Sequence, residues 1–155
     1  MASRSLFRGF ALGVLLVNVG CGASSSSPSP APAPTPVPAP VTTRLGSGGY
    51  TAAPLGTGAL ATITLGNPGA VTANLRWTFA SNDVDLWVLS GTSCTTVNSD
   101  LVPSGAGCTI LCQDIRVGGT SATCSFNSTS GTALVWATNY GSSNESGTWE
   151  VTITR

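Results

Sequence analysis

Apolar and polar residues alternate along much of the chain over residues 42–155, and this period of two limits what the chain can fold into. In the stretch VTANLRWTF, five apolar residues fall on one face of an extended chain: Val71, Ala73, Leu75, Trp77 and Phe79. A period of two is that of a β-strand with one buried face, and no window has the 3.6-residue period of an amphipathic helix. The pattern therefore predicts an all-β domain.

Six further stretches of the same region have the composition of short strands: residues 61–65, 85–89, 110–117, 122–126, 133–140 and 148–155. Gly, Asn, Ser and Pro cluster between them, as they do in turns. About seven short strands in a region of this length are typical of an antiparallel β-sandwich. A domain of this size can bury enough apolar surface to fold by itself.

The basic residues are all Arg, because the chain has no His and no Lys. The lack of an imidazole excludes Ser-His-Asp and Cys-His nucleophile pairs and His metal ligands, whereas hydrolysis by two carboxylates stays open. Within residues 42–155, four scattered Arg stand against six Asp and Glu, which gives a net charge of −2. Nucleic acid binding needs clustered cations, so no nucleic acid partner is predicted.

The first 21 residues have the pattern of an export signal. Arg4 and Arg8 precede an apolar run at 11–19, and small residues follow it. This order is typical of a cleaved signal peptide. The apolar run is shorter than the ~20 residues that span a bilayer, so a permanent transmembrane helix is not predicted.

The tail of this segment, VNVGC, resembles a bacterial lipobox. The resemblance implies that Cys21 is acylated on sulfur, becomes the first residue of the mature chain and holds the protein at a membrane by its lipid. Gly22 after the cysteine implies an outer-membrane or cell-surface location. The alternative is an ordinary signal peptide, and hence a secreted protein.

Residues 22–41 are a linker rich in Ser, Pro and Ala. Each Pro fixes its φ angle and lacks an N–H, so neither helix nor sheet pairing is expected there. An extended polyproline-like chain rises about 3.1 Å per residue, and this segment therefore reaches on the order of 50 Å. A spacer of that length would hold the β domain of residues 42–155 clear of a membrane surface.

Four cysteines lie in the β domain: Cys94, Cys108, Cys112 and Cys124. An even number in an exported domain favours two disulfides, and the sequence permits three pairings. A Gly-Gly hairpin turn at 118–119 would bring Cys112 opposite Cys124, which leaves Cys94 to pair with Cys108. The alternative is a zinc site with four cysteine ligands.

Two stretches, VTANLRWTFASNDVDLWVL and GTALVWATNYGSSNESGTWEVTIT, resemble the bacterial pre-peptidase C-terminal domain. The family's D-x-D-L-aromatic-V strand falls on residues 83–88. Its closing motif falls on Asn139, Tyr140, Gly147, Trp149, Val151 and Ile153. The resemblance implies a jelly-roll-like β-sandwich that accompanies secreted peptidases or surface proteins and is not itself catalytic. Relatives in bacterial collagenases bind collagen and carry calcium sites.

Asp83 and Asp85 lie beside a Trp in a chain in which only 8% of residues are charged. In a strand, both carboxylates and Trp87 would share one face, and the apolar residues between them would face the other way. The first interpretation is a polar start of a strand, in which Asp85 accepts a hydrogen bond. The alternatives are a calcium site completed by loop carbonyls, a ligand platform on Trp87, and a catalytic carboxylate pair.

The sequence therefore predicts a non-enzymatic, surface-anchored β-sandwich lipoprotein that binds or scaffolds an extracellular polysaccharide or protein. The first alternative is a carbohydrate- or collagen-like-peptide-binding module with its ligand on Trp87. The second is a small carboxylate-dependent hydrolase. No cofactor other than calcium is predicted. The three other tryptophans are assigned to the core: Trp77, Trp136 and Trp149.

Overall fold

The structure, a computed structural model, describes residues 32–91 and 94–155. The export signal, Cys21 and the first part of the linker lie outside the described residues. Residues 32–41 are exposed and have no regular secondary structure. Within the described ranges, no helix has the length and apolar character needed to cross a membrane.

The rest of the described chain contains ten β-strands joined by turns and loops, and no helix, so the prediction of an all-β fold is confirmed. They are β1 (Thr42–Ala52), β2 (Gly56–Leu65), β3 (Gly69–Trp77), β4 (Val84–Ser90), β5 (Thr96–Val97), β6 (Pro103–Ser104), β7 (Thr109–Asp114), β8 (Ser121–Ser128), β9 (Gly131–Asn139) and β10 (Glu145–Thr154). The unit Pro38–Arg155 contains all ten strands, both disulfides and its own core, so it has what independent folding requires.

The eight longer strands form two antiparallel sheets. The first sheet has the order β1-β10-β3-β8 and the second has the order β2-β9-β4-β7, while β5 and β6 pair with each other alone. Along the chain, each connection between consecutive long strands crosses from one sheet to the other, except that from β4 to β7. This topology is that of a jelly roll, so the predicted β-sandwich is confirmed.

The core lies between the two sheets and is built by the alternation that the sequence displays. It includes the inward residues Val71, Ala73, Leu75 and Trp77 of β3, Val84, Leu86 and Val88 of β4, Val135 of β9, and Trp149, Val151 and Ile153 of β10. Each fully buried aliphatic side chain contributes roughly 1.5–3 kcal/mol relative to an exposed one. Trp77 and Trp149 lie in this core, as predicted.

Phe79 is an exception to the predicted core face. The alternation of VTANLRWTF continues through this residue, but β3 ends at Trp77 and the Phe79 side chain is 53% exposed. The prediction that Phe79 belongs to the buried face is therefore wrong. The physical cause is the buried carboxylate of Glu145, which accepts hydrogen bonds from the backbone N–H groups of Thr78 and Phe79.

Strand β1 is not indicated by the sequence pattern, because its LGSGG segment has the composition of a loop. Two of its glycines, Gly46 and Gly48, lie against core side chains, namely Ile63 of β2 and the ring of Trp149 of β10. A Cβ on Gly46 would lie 2.7 Å from Cδ1 of Ile63, and a Cβ on Gly48 would lie 3.0 Å from Nε1 of Trp149. Glycine therefore lets this edge strand pack on a large indole, although it weakens the strand pattern.

Both predicted disulfides are present, Cys94–Cys108 and Cys112–Cys124, and they are incompatible with a four-thiolate zinc site. The predicted hairpin at 118–119 is wrong, because β7 pairs with β4 whereas β8 pairs with β3. The connection joins the two sheets instead. Cys112–Cys124 therefore ties together the edge strands of opposite sheets, one on each side of the core.

Candidate functional site

The D-x-D-L-W-V motif runs from Asp83 into strand β4, which begins at Val84 and is buried on both faces. Leu86 and Val88 point into the core between the sheets. Asp85 and Trp87 point the other way, where they are paired across to Thr138 and Trp136 of β9. Trp87 is nonetheless only 3% exposed. The outer face of the second sheet is therefore covered at this place.

The cover is the disulfide loop, residues 94–108, which Cys94–Cys108 closes and which contains β5 and β6. A second buried cluster lies beneath it and comprises Trp87, Leu89, Cys94 and Trp136. The indole N–H of Trp136 donates to the hydroxyl of Thr57 on β2. Trp136 is thus buried, as predicted, but under the disulfide loop and not between the sheets.

Two hydrogen bonds fasten the tip of the disulfide loop to β9 and the residue after it. The hydroxyl of Tyr140 donates to the carbonyl of Asp100 at 2.8 Å, and the hydroxyl of Thr138 donates to the carbonyl of Leu101 at 3.2 Å. Burial and the nearby charges of Asp85, Asp83 and Asp100 raise the pKa of Tyr140, so it remains a donor at neutral pH.

Asp85 is 6% exposed and lies close to two other carboxylates. Burial, the charge of Asp83 and the charge of Asp114 together raise the pKa of Asp85 to about 7. The sequence predicts a hydrogen bond to this carboxylate, but within residues 32–91 and 94–155 no donor reaches it. A carboxylate with so high a pKa is protonated for much of the time at neutral pH.

Asp83 lies in the turn before β4, as predicted. Its carbonyl accepts a hydrogen bond of 2.8 Å from the N–H of Tyr140, and its Oδ1 is buried without a partner among the described residues. Burial raises the pKa of Asp83. The described residues contain no group of three or more His, Cys, Asp or Glu that could hold a metal ion. Calcium at Asp83 and Asp85 stays a prediction, because carbonyl oxygens also serve as calcium ligands.

Asp114, at the end of β7, is the third carboxylate of this region and has a structural role. It accepts a hydrogen bond of 2.8 Å from Nε of Arg116 and another of 2.8 Å from the N–H of Thr123 on β8. The bond from Arg116 holds the pKa of Asp114 below its usual value despite burial. Asp114 therefore remains charged and links the edge strands of the two sheets.

Glu145, at the start of β10, is a functional candidate that sequence reasoning missed. It is only 2% exposed, and its carboxylate accepts four hydrogen bonds. Three come from backbone N–H groups: Thr78 at 2.9 Å, Phe79 at 3.1 Å and Ser146 at 2.8 Å. The fourth comes from the side-chain amide of Asn82 at 2.9 Å. Burial alone would raise its pKa, but the bonds from Asn82 and the backbone outweigh burial and lower the pKa of Glu145.

The N–H groups that Glu145 captures end β3 and turn its next residues outward. The ring of Phe79 consequently borders a cavity of about 510 Å³. We call this cavity the Phe79 cleft, and its lining residues are Thr51, Ala52, Ala53, Phe79, Asn144, Glu145 and Ser146. No sequence signal marks it, since its residues come from three separate segments of the chain.

The opposite wall of the Phe79 cleft is fixed by Asn139, which is fully buried at the end of β9. Its Nδ2 donates to the carbonyls of Ala53 at 3.1 Å and Ser143 at 2.9 Å, and its Oδ1 accepts from the N–H of Gly141 at 2.9 Å. The turn between β1 and β2 is thereby tied to the loop between β9 and β10. Both walls of the cleft are held by buried polar groups.

Two further cavities of about 450 Å³ each open on the outer faces of the sheets. One lies beside the disulfide loop and is lined by Ala59, Thr62, Gly91, Cys94, Thr95, Thr132, Leu134 and Trp136. The other lies on the first sheet and is lined by Ser47, Gly48, Asn74, Arg76, Thr148, Trp149 and Glu150. Neither Asp83 nor Asp85 lines either of these cavities or the Phe79 cleft.

Comparison of the chain with protein-family models and with curated proteins finds no match. Of the sequence-predicted site residues, Asp83 and Asp85 are close together, while Trp87 lies on the same side as Asp85 but beneath the disulfide loop. A ligand could stack on Trp87 only if that loop moved, so the binding role of Trp87 stays a prediction. The two disulfides are consistent with an extracytoplasmic protein.

Proposed function

We propose that this protein is a surface-anchored, non-catalytic β-sandwich lipoprotein that binds or scaffolds an extracellular partner. In this proposal a lipid on Cys21 attaches the chain to the outer membrane or cell surface, and the Pro-rich linker holds the sandwich away from it. The supporting observation is the pair of disulfides, one closing a loop and one joining the two sheets. Such bonds persist in oxidising compartments, which agrees with the export pattern of residues 1–21.

The environments of the acidic residues support a binding role over a hydrolytic one. Glu145 is saturated by four hydrogen-bond donors, and Asp114 is paired with Arg116. Asp85 is buried and lines none of the cavities described above. These environments suit structural roles, whereas hydrolysis by a carboxylate pair needs both groups to face a common substrate cleft. The family resemblance of the D-x-D-L-W-V and closing motifs points in the same direction.

The anchoring step is tested by expressing the full chain in a lipoprotein-processing bacterium that is supplied with a labelled fatty acid. We expect label on the wild-type protein and its recovery in the membrane fraction. Cys21→Ala should abolish both. The matched control is Gly22→Ala, which leaves the acylated sulfur in place and should keep the label. A wild-type protein that is unlabelled and fully released into the medium would contradict the anchor and favour the secreted alternative.

A second candidate is a carbohydrate- or peptide-binding module, which the sequence alone places on Trp87. The observation that favours a binding module is the presence of a rigid cleft at one end of the sandwich, lined partly by an exposed aromatic ring. The residue that presents this ring is Phe79 and not Trp87.

A further inference from the structure

Phe79 is the one aromatic side chain, among residues 32–91 and 94–155, that has more than half of its surface exposed. The four tryptophans and Tyr50 are each at most 9% exposed. A single exposed Phe would need no explanation in a mobile loop. Here the loop is fixed, because the N–H groups of Thr78 and Phe79 both donate to the buried carboxylate of Glu145.

The buried charge of Glu145 is a costly way to end a strand. A carboxylate taken out of water is tolerated only when its hydrogen bonds are nearly all satisfied, which four donors achieve here. If β3 continued its alternation, Phe79 would lie in the core and no buried carboxylate would be needed. What Glu145 accomplishes is a rigid outward presentation of the ring, as expected of a residue that supports a binding site.

The Phe79 cleft has the chemistry of a site for a neutral, hydroxyl-rich ring. Ala52 and Ala53 extend the apolar surface of Phe79, while Thr51, Asn144 and Ser146 supply hydroxyl and amide groups. No Arg lines the cleft, and its carboxylate is fully engaged with protein donors. An anionic ligand would therefore lack a cation and would meet the charge of Glu145.

The cleft continues along β10 onto a polar strip of the first sheet. Ser146, Thr148 and Glu150 alternate outward along this strand, and the register pairs them with Thr51, Gly49 and Ser47 of β1. On the other side, Thr148 and Glu150 are paired with Arg76 and Asn74 of β3. The cavity on the first sheet lies where Thr148 and Glu150 are paired with these residues of β3.

From Ser146 to Glu150 the strip is roughly 13 Å long at the rise of an antiparallel strand. Its outward side chains offer hydroxyl and amide groups, the ion pair of Arg44 with Glu150 at 3.9 Å, and the guanidinium of Arg76. An apolar end followed by a row of hydrogen-bonding groups matches an extended oligomer whose units carry both a flat apolar face and hydroxyls. A chain of pyranose rings has this character.

We propose that the Phe79 cleft and the strip along β10 bind a neutral glycan. One sugar ring stacks on Phe79, its hydroxyls bond to Asn144 and Ser146, and the next units lie over Thr148 towards Asn74. This assignment rests on the proposed binding role and names its ligand class and its site. It replaces Trp87, which the disulfide loop covers, as the aromatic residue of the carbohydrate-binding alternative.

The test is isothermal titration of the unit Pro38–Arg155, oxidised, with neutral hexasaccharides of glucose, N-acetylglucosamine and mannose. We expect at least one of them to bind. Phe79→Ala should weaken that binding by on the order of tenfold, the upper contribution of a single aromatic contact. Asn144→Ala should weaken it independently. The matched control is Ile115→Ala, an equally exposed apolar residue of the β7–β8 connection, which should leave the affinity unchanged.

Phe79→Trp keeps a stacking ring and places an exposed indole in the cleft. We expect it to retain binding and to report it by a fluorescence change, which the buried tryptophans of the wild type do not give. Binding that is equal in wild type and Phe79→Ala would overturn the proposal, as would the absence of binding to all three hexasaccharides. Phe79-dependent binding to phosphatidylcholine vesicles in place of glycans would also overturn it. None of these failures affects the labelling of Cys21, so the anchoring proposal stands or falls separately.

Discussion

The side-chain amide of Asn82 donates a hydrogen bond of 2.9 Å to the carboxylate of Glu145, which lies 63 residues further along the chain. Both side chains are at most 3% exposed. The bond joins the loop between β3 and β4 to the start of β10, beneath the Phe79 cleft. Asn82 also requires glycine at position 141, because a Cβ on Gly141 would collide with Oδ1 of Asn82. The buried carboxylate of Glu145 therefore holds the loop after β3 against the start of β10 at this end of the sandwich.

Glu145→Gln should strongly destabilise the fold. The amide would offer one acceptor oxygen in place of two and would direct its own N–H₂ group at backbone N–H donors. Removing a charged partner from a buried network costs about 3 kcal/mol. In a domain of this size we expect a fall in the melting midpoint of about 12 °C near neutral pH.

The loss from Glu145→Gln should shrink in acid. The pKa of Glu145 is lowered in the folded state, so its contribution to stability is present above its unfolded pKa of 4.5 and is lost as the pH falls through the folded pKa. The control is Glu150→Gln, whose exposed pair with Arg44 at 3.9 Å should contribute less than about 1 kcal/mol. Equal midpoints for the wild type and Glu145→Gln at neutral pH would show that the carboxylate is not needed.

The strands of the core could be predicted from the sequence, and the shape of the Phe79 cleft could not. The alternation of β3 and β10 follows from local burial, which a period of two records. Phe79 continues that alternation, but its backbone N–H is captured by Glu145, 66 residues away. A contact so distant in sequence overrides the local alternation, and the alternation itself gives no indication of that contact.

The site around Asp85 could be predicted only in part, because strand periodicity gives the face on which a residue lies but not what covers that face. Strand periodicity correctly places Asp85 and Trp87 on one face, opposite Leu86. What periodicity cannot give is the cover over that face, since the disulfide loop reaches it only through Cys94–Cys108 and the bond between Tyr140 and the carbonyl of Asp100. Exposure of an alternating face depends on tertiary contacts and not on the strand itself.

Opening of the disulfide loop should expose tryptophan. In the double variant Cys94→Ser/Cys108→Ser we expect a red shift of the intrinsic fluorescence, because Trp87 and Trp136 lie beneath this loop. A loop of this length contributes about 3 kcal/mol through its disulfide, so the melting midpoint should fall as well. The comparison is Cys112→Ser/Cys124→Ser, which should lower the midpoint without the red shift in the folded protein. An unchanged spectrum for the first variant would mean that the loop stays closed without its disulfide.

Calcium should raise the melting midpoint if Asp83 and Asp85 are its ligands. The buried Oδ1 of Asp83 has no partner among the described residues, and the two carboxylates repel each other. A bound divalent cation would relieve both, and at a hundredfold excess over Kd it would add about 2.7 kcal/mol. We expect thermal melts with millimolar calcium to show this rise, and Asp83→Ala/Asp85→Ala to abolish it. Identical wild-type melts with and without calcium would leave both residues as the polar start of β4.

Asp85→Asn should stabilise the protein at alkaline pH in the absence of calcium. The pKa of Asp85 is raised from 3.8 to about 7 in the folded state. Between these two values the folded state holds a proton that the unfolded state has released, so stability falls as the pH rises through this window and is flat above it. An amide has the shape of the carboxyl and does not ionise, so the variant should lack the fall.

The measurement is a pair of melts for wild type and Asp85→Asn, one at about pH 4 and one at about pH 8, in chelator. We expect equal midpoints in acid and a higher midpoint for the variant in alkali, by about 4 °C for each kcal/mol by which ionisation of Asp85 destabilises the fold. Asp100→Asn is the control, because it makes the same carboxylate-to-amide change at an exposed position of the disulfide loop. A midpoint that rises in parallel for the variant at both pH values would trace the gain to packing and not to a buried charge.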